Sequence, residues 1–381
     1  MSARFCGIVP PYLLRSIADH GDDEDRQRAL AALSLSVAPR RERAALTQLA
    51  GELVLPPRVK RRTVHDAEEG RMLPGRIART EGERPVGDPS VDEAYEAAGK
   101  VYDYFRRVHD RRSLDDHGLG LRSTVHYGRG FSNAHWDGRQ MIYGDGDGRY
   151  FHRFTASLDV VAHELTHGIT QYVAGLGVSG QCGALAEHFS DVFGILVKQY
   201  WLGQSAAQSD WLIGADLFTD QVQGLGIRSM KAPGTAYDDP ILGRDPQPAH
   251  MGRYVKTYGD DRGVHINSGI PNHAFFRAAT NLGGQAWEIA GRIWYHALTR
   301  GGLGPRSQFR HVAEATVRAA AALHGAGSVP HDAVRAAWEA VGIPTGEAPV
   351  PRLVIRKRVR VQSERELFEP PDAAAELPYL G

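Results

Sequence analysis

The sequence predicts an α+β protein with two lobes, a β-rich lobe first and a mainly helical lobe after it. Between Ser123 and Phe151, short apolar stretches are separated by glycines, as in STVHYGRG and QMIYGDGDG, which indicates strands and tight turns. From Ser157 onward, apolar residues recur at helical spacing, and the last two such segments lie at 308–324 and 331–341. Strands followed by helices are typical of the α+β class.

The composition is that of a globular protein, and it excludes several other classes. The 381 residues include 45 basic and 45 acidic side chains, so charge gives no reason to expect nucleic acid or an anionic membrane as a partner. No stretch approaches the roughly 18 consecutive apolar residues of a membrane span, and no standard signal peptide is visible. With only Cys6 and Cys182, a disulfide framework and a zinc site of three or four thiolates are excluded.

We expect four segments along the chain. Residues 1–60 contain a helical stretch, RQRALAALSLSV, and end in a basic segment, PPRVKRR, which either a solvated linker or a processing site would explain. Residues 61–156 should form the β-rich lobe, and residues 157–345 the helical lobe. Residues 346–381 form a tail whose alternating run, RLVIRKRVRVQ, is compatible with one edge strand.

One predicted helix, residues 157–174, carries a metal-binding motif. Its sequence, SLDVVAHELTHGITQYVA, begins at a serine N-cap and is followed by a glycine. It contains HELTH from His163 to His167. Residues four apart share one face of a helix, so both imidazoles can reach one cation while Glu164 projects beside them. The alternative is a helix that carries two stacked surface histidines.

A second predicted helix offers a third metal ligand. Zinc in a hydrolytic site needs three protein ligands and one position for water. Glu187, within the segment GALAEHFSDVFG, begins this helix twenty residues after His167, and Asp191 lies one turn further along the same face. One carboxylate could bind the metal, and the other could accept the spare N–H of a ligating histidine. Taken alone, this pair would be typical of a solvated helix face.

Several segments together resemble the thermolysin family of zinc endopeptidases. They are FSNAHWDGRQMIYGDGDG, HELTHGITQYVAGL, GALAEHFSD and DDRGVHINSGIPN, in the family's order and spacing. The match covers about Asp66 to Gly342, and the tail after Gly346 lies outside it. The amino-terminal FCGIVPPYLLRSIA resembles the short propeptide of the protealysin branch. The resemblance implies a two-lobed zincin with the zinc helix at the floor of the cleft.

The resemblance assigns the metal site and the catalytic base. It makes His163, His167 and Glu187 the ligands of one catalytic zinc, and Glu164 the general base. Zinc lowers the pKa of bound water, Glu164 takes its proton, and the same carboxyl group later protonates the departing amine. The implied activity is that of a neutral endopeptidase made as a zymogen.

Other residues are implied to bind the substrate. His265 matches the family's oxyanion-stabilising histidine, and Asp260 is placed to orient it. Arg228 matches the arginine that holds a substrate carbonyl, while Asn133 and Ala134 match residues that align the substrate main chain. Six apolar residues would line the pocket after the scissile bond, so we expect cleavage on the amino side of large hydrophobic residues; they are Phe151, Phe154, Val160, Ile213, Leu217 and Ile227.

Two departures from the family pattern concern the catalytic centre. Val178 stands where the family has a tyrosine that donates to the oxyanion, and losing one such donor can cost on the order of 100-fold in turnover. Ala186 stands where an asparagine would accept from His167, and such losses weaken metal binding or activity about 10- to 100-fold. The alternative function is therefore a nearly inactive, zinc-bearing homologue that acts as a binding protein.

A third departure concerns calcium. Asp159 and Asp210 survive at positions of the family's double calcium site, but Lys198, Leu212 and Ala215 replace its carboxylates. Calcium needs six to eight oxygen ligands, and a lysine can replace a divalent ion as countercharge. We therefore expect no double calcium site.

The propeptide should occupy the cleft in cis. The resemblance places Pro10, Pro11 and Tyr12 there, and two prolines would keep this strand extended and remove backbone donors. Cys182 is either a buried small residue or a partner of Cys6, which could also reach the zinc. We expect protein or peptide substrates, a monomer, and no nucleic acid or membrane. The chain is either secreted without a standard signal peptide or cytoplasmic.

Overall fold

The amino-terminal lobe is built on a five-stranded sheet. The structure is a computed structural model that describes residues 7–35 and 59–346. The strand order is β2-β1-β3-β5-β4; β1 pairs in parallel with β3 and β3 with β5, whereas the β1–β2 and β4–β5 pairs are antiparallel. The strands are β1 (Arg62–Asp66), β2 (Arg76–Thr80), β3 (Leu121–Val125), β4 (Ala134–Trp136) and β5 (Met141–Tyr143).

One long helix, α3 (Pro89–His109), packs against this sheet. Asp88 caps it, since its side chain accepts from the backbone N–H of Val91 at 3.2 Å. Pro89 occupies the first turn, where its missing N–H costs no hydrogen bond. Basic residues in the last turn suit the negative end of the helix dipole. The helix ends at Asp110, which is in the left-handed conformation.

The carboxy-terminal lobe is mainly helical, as predicted. Two helices form its centre, α4 (Leu158–Val173) and α5 (Gly180–Leu202), which pack against each other. Gly194 permits the close approach, since a Cβ there would lie 2.8 Å from the Asp159 carbonyl oxygen. The remaining helices are α6 (Asp260–Asn267), α7 (Gly269–Leu282), α8 (Ala290–Arg300), α9 (Phe309–His324) and α10 (Val329–Ala340).

The structure differs from the sequence prediction at the start of α5. We expected Glu187 to begin this helix, but it begins at Gly180, so Glu187 lies in its second turn. Gly180 and Gly183 weaken the local helix propensity, and tight packing requires Gly183. A Cβ on Gly183 would lie 2.5 Å from the Val264 side chain and 2.7 Å from the backbone of Val178.

Short strands between α5 and α6 shape one wall of the cleft. β6 (Leu212–Ile213) pairs with β7 (Arg228–Ser229), and β8 (Asp238–Asp239) pairs with β9 (Gly243–Arg244), both antiparallel. The β6–β7 pair fixes Arg228 in the interior, where it is fully buried. None of the helices in the described ranges combines the length and the apolar character needed to cross a membrane.

The amino-terminal segment forms two helices, α1 (Pro11–His20) and α2 (Asp23–Leu35). The buried side chains of α1 include Leu13, Leu14 and Ile17, which belong to the same apolar cluster as the core of the two lobes. The helix predicted from 26–37 is present, but it begins three residues earlier. Residues 36–58 and the strand predicted in the tail lie outside the described residues.

Candidate metal centre

Three side chains from α4 and α5 converge on one buried point. His163 Nε2 lies 3.4 Å from Glu187 Oε2, and His167 Nε2 lies 3.5 Å from Glu187 Oε1. The two Nε2 atoms are 3.2 Å apart. All three residues are buried, and they form a group whose donor atoms could share a metal ion.

The spacing and chemistry of these donors fit a zinc ion. Ligand bonds of about 2.0–2.2 Å in a tetrahedral arrangement place neighbouring donor atoms roughly 3.3–3.5 Å apart. The three observed separations, 3.2, 3.4 and 3.5 Å, match that spacing. Two imidazoles and one carboxylate leave one tetrahedral position for water, as in hydrolytic zinc sites.

Asp191 orients His163 from behind the metal site. Its Oδ1 lies 2.8 Å from His163 Nδ1, which directs Nε2 towards Glu187. The Arg228 guanidinium donates to both carboxylate oxygens of Asp191, at 2.8 and 2.9 Å, and Asn272 donates at 2.8 Å. Burial alone would raise the pKa of Asp191, but Arg228 and His163 hold it below its usual range.

Glu164 lies between the zinc helix and the sheet. It is fully buried, and its Oε2 accepts the backbone N–H of Trp136 at 3.0 Å. Because that N–H comes from β4, the edge strand fixes the orientation of the carboxylate. This arrangement holds Glu164 beside the two ligand histidines.

His265 approaches the same centre from α6. Its Nε2 lies 3.5 Å from Glu187 Oε2. Asp260 fixes the ring, with Oδ1 2.5 Å from Nδ1, and its Oδ2 accepts the backbone N–H of His265 at 2.9 Å. Asp260 and its two successors, Asp261 and Arg262, have φ values of 51°, 48° and 69°, which are strained for such residues.

The chain itself occupies the cleft between these groups. The Gly7 carbonyl lies 3.2 Å from His265 Nε2. The next carbonyl, that of Ile8, accepts a hydrogen bond from Arg228 Nη1, also at 3.2 Å. The two residues that we expected to hold substrate carbonyl groups therefore contact consecutive carbonyl groups of the amino-terminal segment.

The edge strand β4 and the residue before it bind the same segment. The Ile8 N–H donates to the Ala134 carbonyl at 3.1 Å, and the Val9 N–H donates to Asn133 Oδ1 at 3.0 Å. Asn133 Nδ2 returns a bond of 3.2 Å to the Val9 carbonyl. Asn133 and Ala134 thus align a main chain, which is the contact expected of them with a substrate.

The position of the inhibitory segment corrects our expectation. We expected Pro10, Pro11 and Tyr12 to lie extended in the cleft, but Pro11 and Tyr12 form the first turn of α1. Only Pro10 is extended, with φ −64° and ψ 146°. A proline φ near −65° suits both an extended chain and the first turn of a helix, so the sequence could not distinguish them. The contacts come instead from Gly7, Ile8 and Val9.

The six apolar residues expected to line the substrate pocket are all fully buried in one cluster. The rings of Phe151 and Phe154 are 5.9 Å apart, and the Ile227 N–H donates to the Ile213 carbonyl at 2.9 Å. Val160 lies on α4, one helical turn before His163. Val160 therefore lies close to the metal site along α4.

Comparison with known proteins identifies the family. Residues 78–171 match the catalytic domain of the thermolysin metallopeptidases, residues 174–343 match their alpha-helical domain, and residues 6–34 match the protealysin propeptide. The chain belongs to the thermolysin family. It is thus a metallopeptidase, and its two lobes are the two domains of that fold.

Relatives are similar over nearly the whole chain. An extracellular metalloprotease of Pectobacterium carotovorum subsp. carotovorum is 49% identical over 90% of this chain and 97% of its own. Protease PrtS of a Photorhabdus species is 40% identical over 90% and 93%. The solved structure of the precursor of protealysin from Serratia proteamaculans has a TM-score of 0.81 and 46% identity, covering 89% of this chain and 99% of that one.

The departures from the thermolysin-family pattern have clear positions in the structure. Val178 lies in the connection between α4 and α5 and is 41% exposed. Ala186 lies on α5, directly before Glu187. Both positions hold aliphatic side chains, which offer no hydrogen bond. Cys182 is a buried free thiol, and its sulfur accepts the Gly177 N–H at 3.0 Å; Cys6 lies outside the described residues.

Lys198 lies beside the two aspartates that the resemblance places at the calcium site. Lys198 Nζ lies 2.9 Å from Asp210 and 3.8 Å from Asp159, and it donates to the Leu212 carbonyl at 3.5 Å. The ammonium group therefore offsets part of the negative charge of the two aspartates. Ala215 contributes no oxygen from its side chain.

Sequence reasoning missed two contributors to the site. Asn272 supports Asp191, as described above, and its Oδ1 also accepts from His188 Nδ1 at 2.8 Å. It lies within the segment DDRGVHINSGIPN, so its place in that motif was the available signal. Gly7 is the other, since a Cβ there would lie 2.6 Å from the Ala134 carbonyl oxygen. Gly7 lies within the segment FCGIVPPYLLRSIA, but nothing in that segment marked it as a residue that contacts the cleft.

Proposed function

We propose that this chain is a zinc-dependent neutral endopeptidase made as a latent precursor, with Glu164 as its general base. The observation that carries the proposal is the placement of two consecutive carbonyl groups. Gly7 presents its carbonyl to His265, and Ile8 presents its carbonyl to Arg228. An extended peptide substrate would bind in the same register, with its scissile carbonyl at His265.

Zinc, when bound by His163, His167 and Glu187, supplies a Lewis acid that lowers the pKa of water. Glu164 removes a proton from that water and later delivers it to the leaving amine. His265, held by Asp260, stabilises the negative charge that develops on the scissile oxygen.

Arg228, Asn133 and Ala134 position the substrate in this mechanism. Arg228 binds the carbonyl of the residue after the scissile bond, and the other two hold the main chain extended. Holding the reacting groups in place in this way lowers the entropic part of the barrier. Arg228 also supports Asp191, so it links substrate binding to the orientation of His163.

We propose that the enzyme cleaves on the amino side of large hydrophobic residues. Ile8 occupies the position after the scissile bond, and its side chain is fully buried. The apolar cluster defined by Phe151, Phe154, Val160, Ile213, Leu217 and Ile227 adjoins the same site. Burying an aliphatic side chain in such surroundings contributes about 1.5–3 kcal/mol to binding.

We further propose that the enzyme holds one catalytic zinc and no calcium at the double site, that it is a monomer, and that it is secreted. Lys198 supports the absence of calcium, because its charge repels a cation between Asp159 and Asp210. Secretion is supported by the Pectobacterium carotovorum relative, which is named an extracellular metalloprotease. The residues 1–60 would act as the propeptide in cis, and 61–156 and 157–345 as the two catalytic lobes.

Replacing Glu164 tests the catalytic assignment. Glu164→Gln keeps the size of the side chain but removes the base, so casein hydrolysis should fall about 100-fold or more while zinc content is unchanged. Glu288→Gln, on the surface remote from the motif, is the matched control and should retain activity. Equal hydrolysis by wild type and Glu164→Gln would reject Glu164 as the base and would favour the binding-protein alternative.

A further inference from the structure

A groove of about 680 Å³ is lined in part by the residues around Asp260 and has no role in the mechanism above. One side is formed by the start of α5, including Ser179 and Gln181, and another by the connection before α9. The third side is the segment from Tyr254 to Arg262, which includes the start of α6. The groove is open to solvent and large enough for several side chains.

The charge of this groove is positive. Lys256, Arg262 and Arg306 line it and are exposed, and none of its lining residues is an aspartate or glutamate. Within the described ranges, none of these three cations forms an ion pair with a carboxylate. Tyr258, also in the lining, is 96% exposed. The groove thus combines three available cations with an aromatic ring.

The groove shares a wall with the oxyanion site. Arg262 follows Asp260 by two residues, and Asp260 fixes the His265 ring. Across the groove, Ser179 Oγ donates to the Asp261 carbonyl at 3.0 Å, which ties the start of α5 to the same loop. A ligand in the groove would therefore lie next to the His265 side of the cleft.

The direction of the bound main chain indicates which substrate residues would lie on the His265 side of the cleft. From Gly7 to Ile8 the chain runs from His265 towards Arg228. In a substrate bound in this register, the residues before the scissile bond lie beyond His265, on the side away from Arg228. An extended chain advances about 3.3 Å per residue, so the second to fourth residues before that bond span roughly 10 Å.

We propose that this groove, defined by Lys256, Arg262 and Arg306, binds acidic side chains located two to four residues before the scissile bond. The inference rests on the endopeptidase function proposed above and names the substrate class. Exposed ion pairs are individually weak, but three cations around one groove should together favour an acidic substrate about 3- to 10-fold. The preference should fall as salt rises, because exposed charges are screened.

The first test measures cleavage. Three internally quenched peptides share one leucine after the scissile bond; one has two glutamates before that bond, one has glutamines in their place, and one has the glutamates after it. The purified enzyme should cleave the first peptide with a kcat/KM about 3- to 10-fold above the second. In the triple variant Lys256→Gln, Arg262→Gln, Arg306→Gln, that ratio should fall to about one. Arg277→Gln, an exposed arginine outside the groove, should keep the ratio.

The second test measures binding without cleavage. The chain carrying Glu164→Gln is first treated with wild-type enzyme to cut the amino-terminal segment, and the released segment is removed, because that segment occupies the cleft. The product is then titrated into a fluorescein-labelled peptide with two glutamates, and into its glutamine counterpart, at low salt. The acidic peptide should bind more tightly, and the triple substitution should abolish the difference. Equal binding of both peptides, or a preference that survives the triple substitution, would overturn the proposal. Failure to cleave even the neutral peptide would count against the endopeptidase function instead, since the titrated variant itself needs no catalysis.

Discussion

His126 joins three parts of the amino-terminal lobe through its two ring nitrogens. Nδ1 lies 2.8 Å from Asp145, which follows β5, and Nε2 lies 3.0 Å from Asp88, the cap of α3. Hydrogen bonds to Asp145 and Asp88 raise the pKa of His126 to about 9. The residue is therefore protonated in the folded lobe at neutral pH, whereas an unfolded histidine is mostly neutral.

The raised pKa of His126 predicts how stability changes with pH. A raised folded-state pKa stabilises the fold fully below the unfolded value near 6.5, and this stabilisation is lost as pH rises through about 9. His126→Gln should therefore lower the Tm by roughly 2–4 °C at pH 6 and by much less at pH 10. Thermal unfolding across this range checks it, with His324→Gln as a control on an exposed helix end. A constant difference at every pH would contradict the prediction.

At the metal centre, the residues of the site could be predicted from the sequence, but the backbone groups that orient them could not. The HELTH spacing and the family resemblance brought His163, His167 and Glu187 together, and the structure places their donor atoms within 4.8 Å of one another. The backbone N–H of Trp136 that orients Glu164 could not be predicted, because a main-chain donor has no signature in the side chains. Gly7 was missed for a similar reason, since its role is the absence of a Cβ.

Helix α5 carries several residues with different roles along its length. Glu187 faces the metal site, Asp191 supports His163 one turn later, and Lys198 lies two turns further on. Around Lys198, burial and the nearby Asp159 raise the pKa of Asp216. The ammonium group of Lys198 therefore offsets the negative charge of the surrounding aspartates.

Replacing Lys198 should restore a need for calcium. Lys198→Glu places a fourth carboxylate beside Asp159, Asp210 and Asp216, so the variant should unfold at a lower temperature that millimolar calcium raises again. The wild type should show no such response, because its ammonium group occupies the position of the cation. Lys198→Gln removes the charge without adding a ligand and is the matched control. Calcium stabilisation of the wild type would show that the family's site is intact.

Helices were predicted more accurately where periodicity was uninterrupted. For α4, the predicted 157–174 agrees with Leu158–Val173, because its apolar repeat is continuous and Gly175 follows it. The predicted start of α5 was wrong, because Gly180 and Gly183 weaken the local helix signal. Tight packing against Val264 requires Gly183, and Gly180 has a positive φ of 58°. Tertiary contacts override helix propensity here.

On the scale of the whole molecule, an acidic contact ties the amino-terminal helices to the catalytic lobe. Asp25 on α2 is buried and accepts from the Tyr150 hydroxyl at 2.8 Å, and Arg149 Nη1 lies 2.8 Å away. Arg149 also pairs with Asp22 at 2.5 Å. This contact lies far along the chain from Gly7 and Ile8, so the propeptide is held at two places.

Removing Asp25 should therefore weaken latency. Asp25→Ala leaves Arg149 without one partner and the Tyr150 hydroxyl without its acceptor, so the amino-terminal helices should dissociate more readily. Hydrolysis of a hydrophobic peptide by the full-length chain should rise about tenfold. Asp19→Ala, an exposed carboxylate on α1, should leave the rate unchanged. An unaltered rate in Asp25→Ala would show that the contacts of Gly7 and Ile8 suffice to keep the full-length chain latent.

The central claim is that two imidazoles and one carboxylate hold a single zinc ion, and its stoichiometry tests this most directly. Inductively coupled plasma mass spectrometry on the purified full-length chain should find about one zinc per molecule, and Glu187→Ala should fall far below that value because only two ligands remain. Glu288→Ala should keep the wild-type content. A wild-type chain without stoichiometric zinc, or a Glu187→Ala chain that retains all of it, would contradict the account.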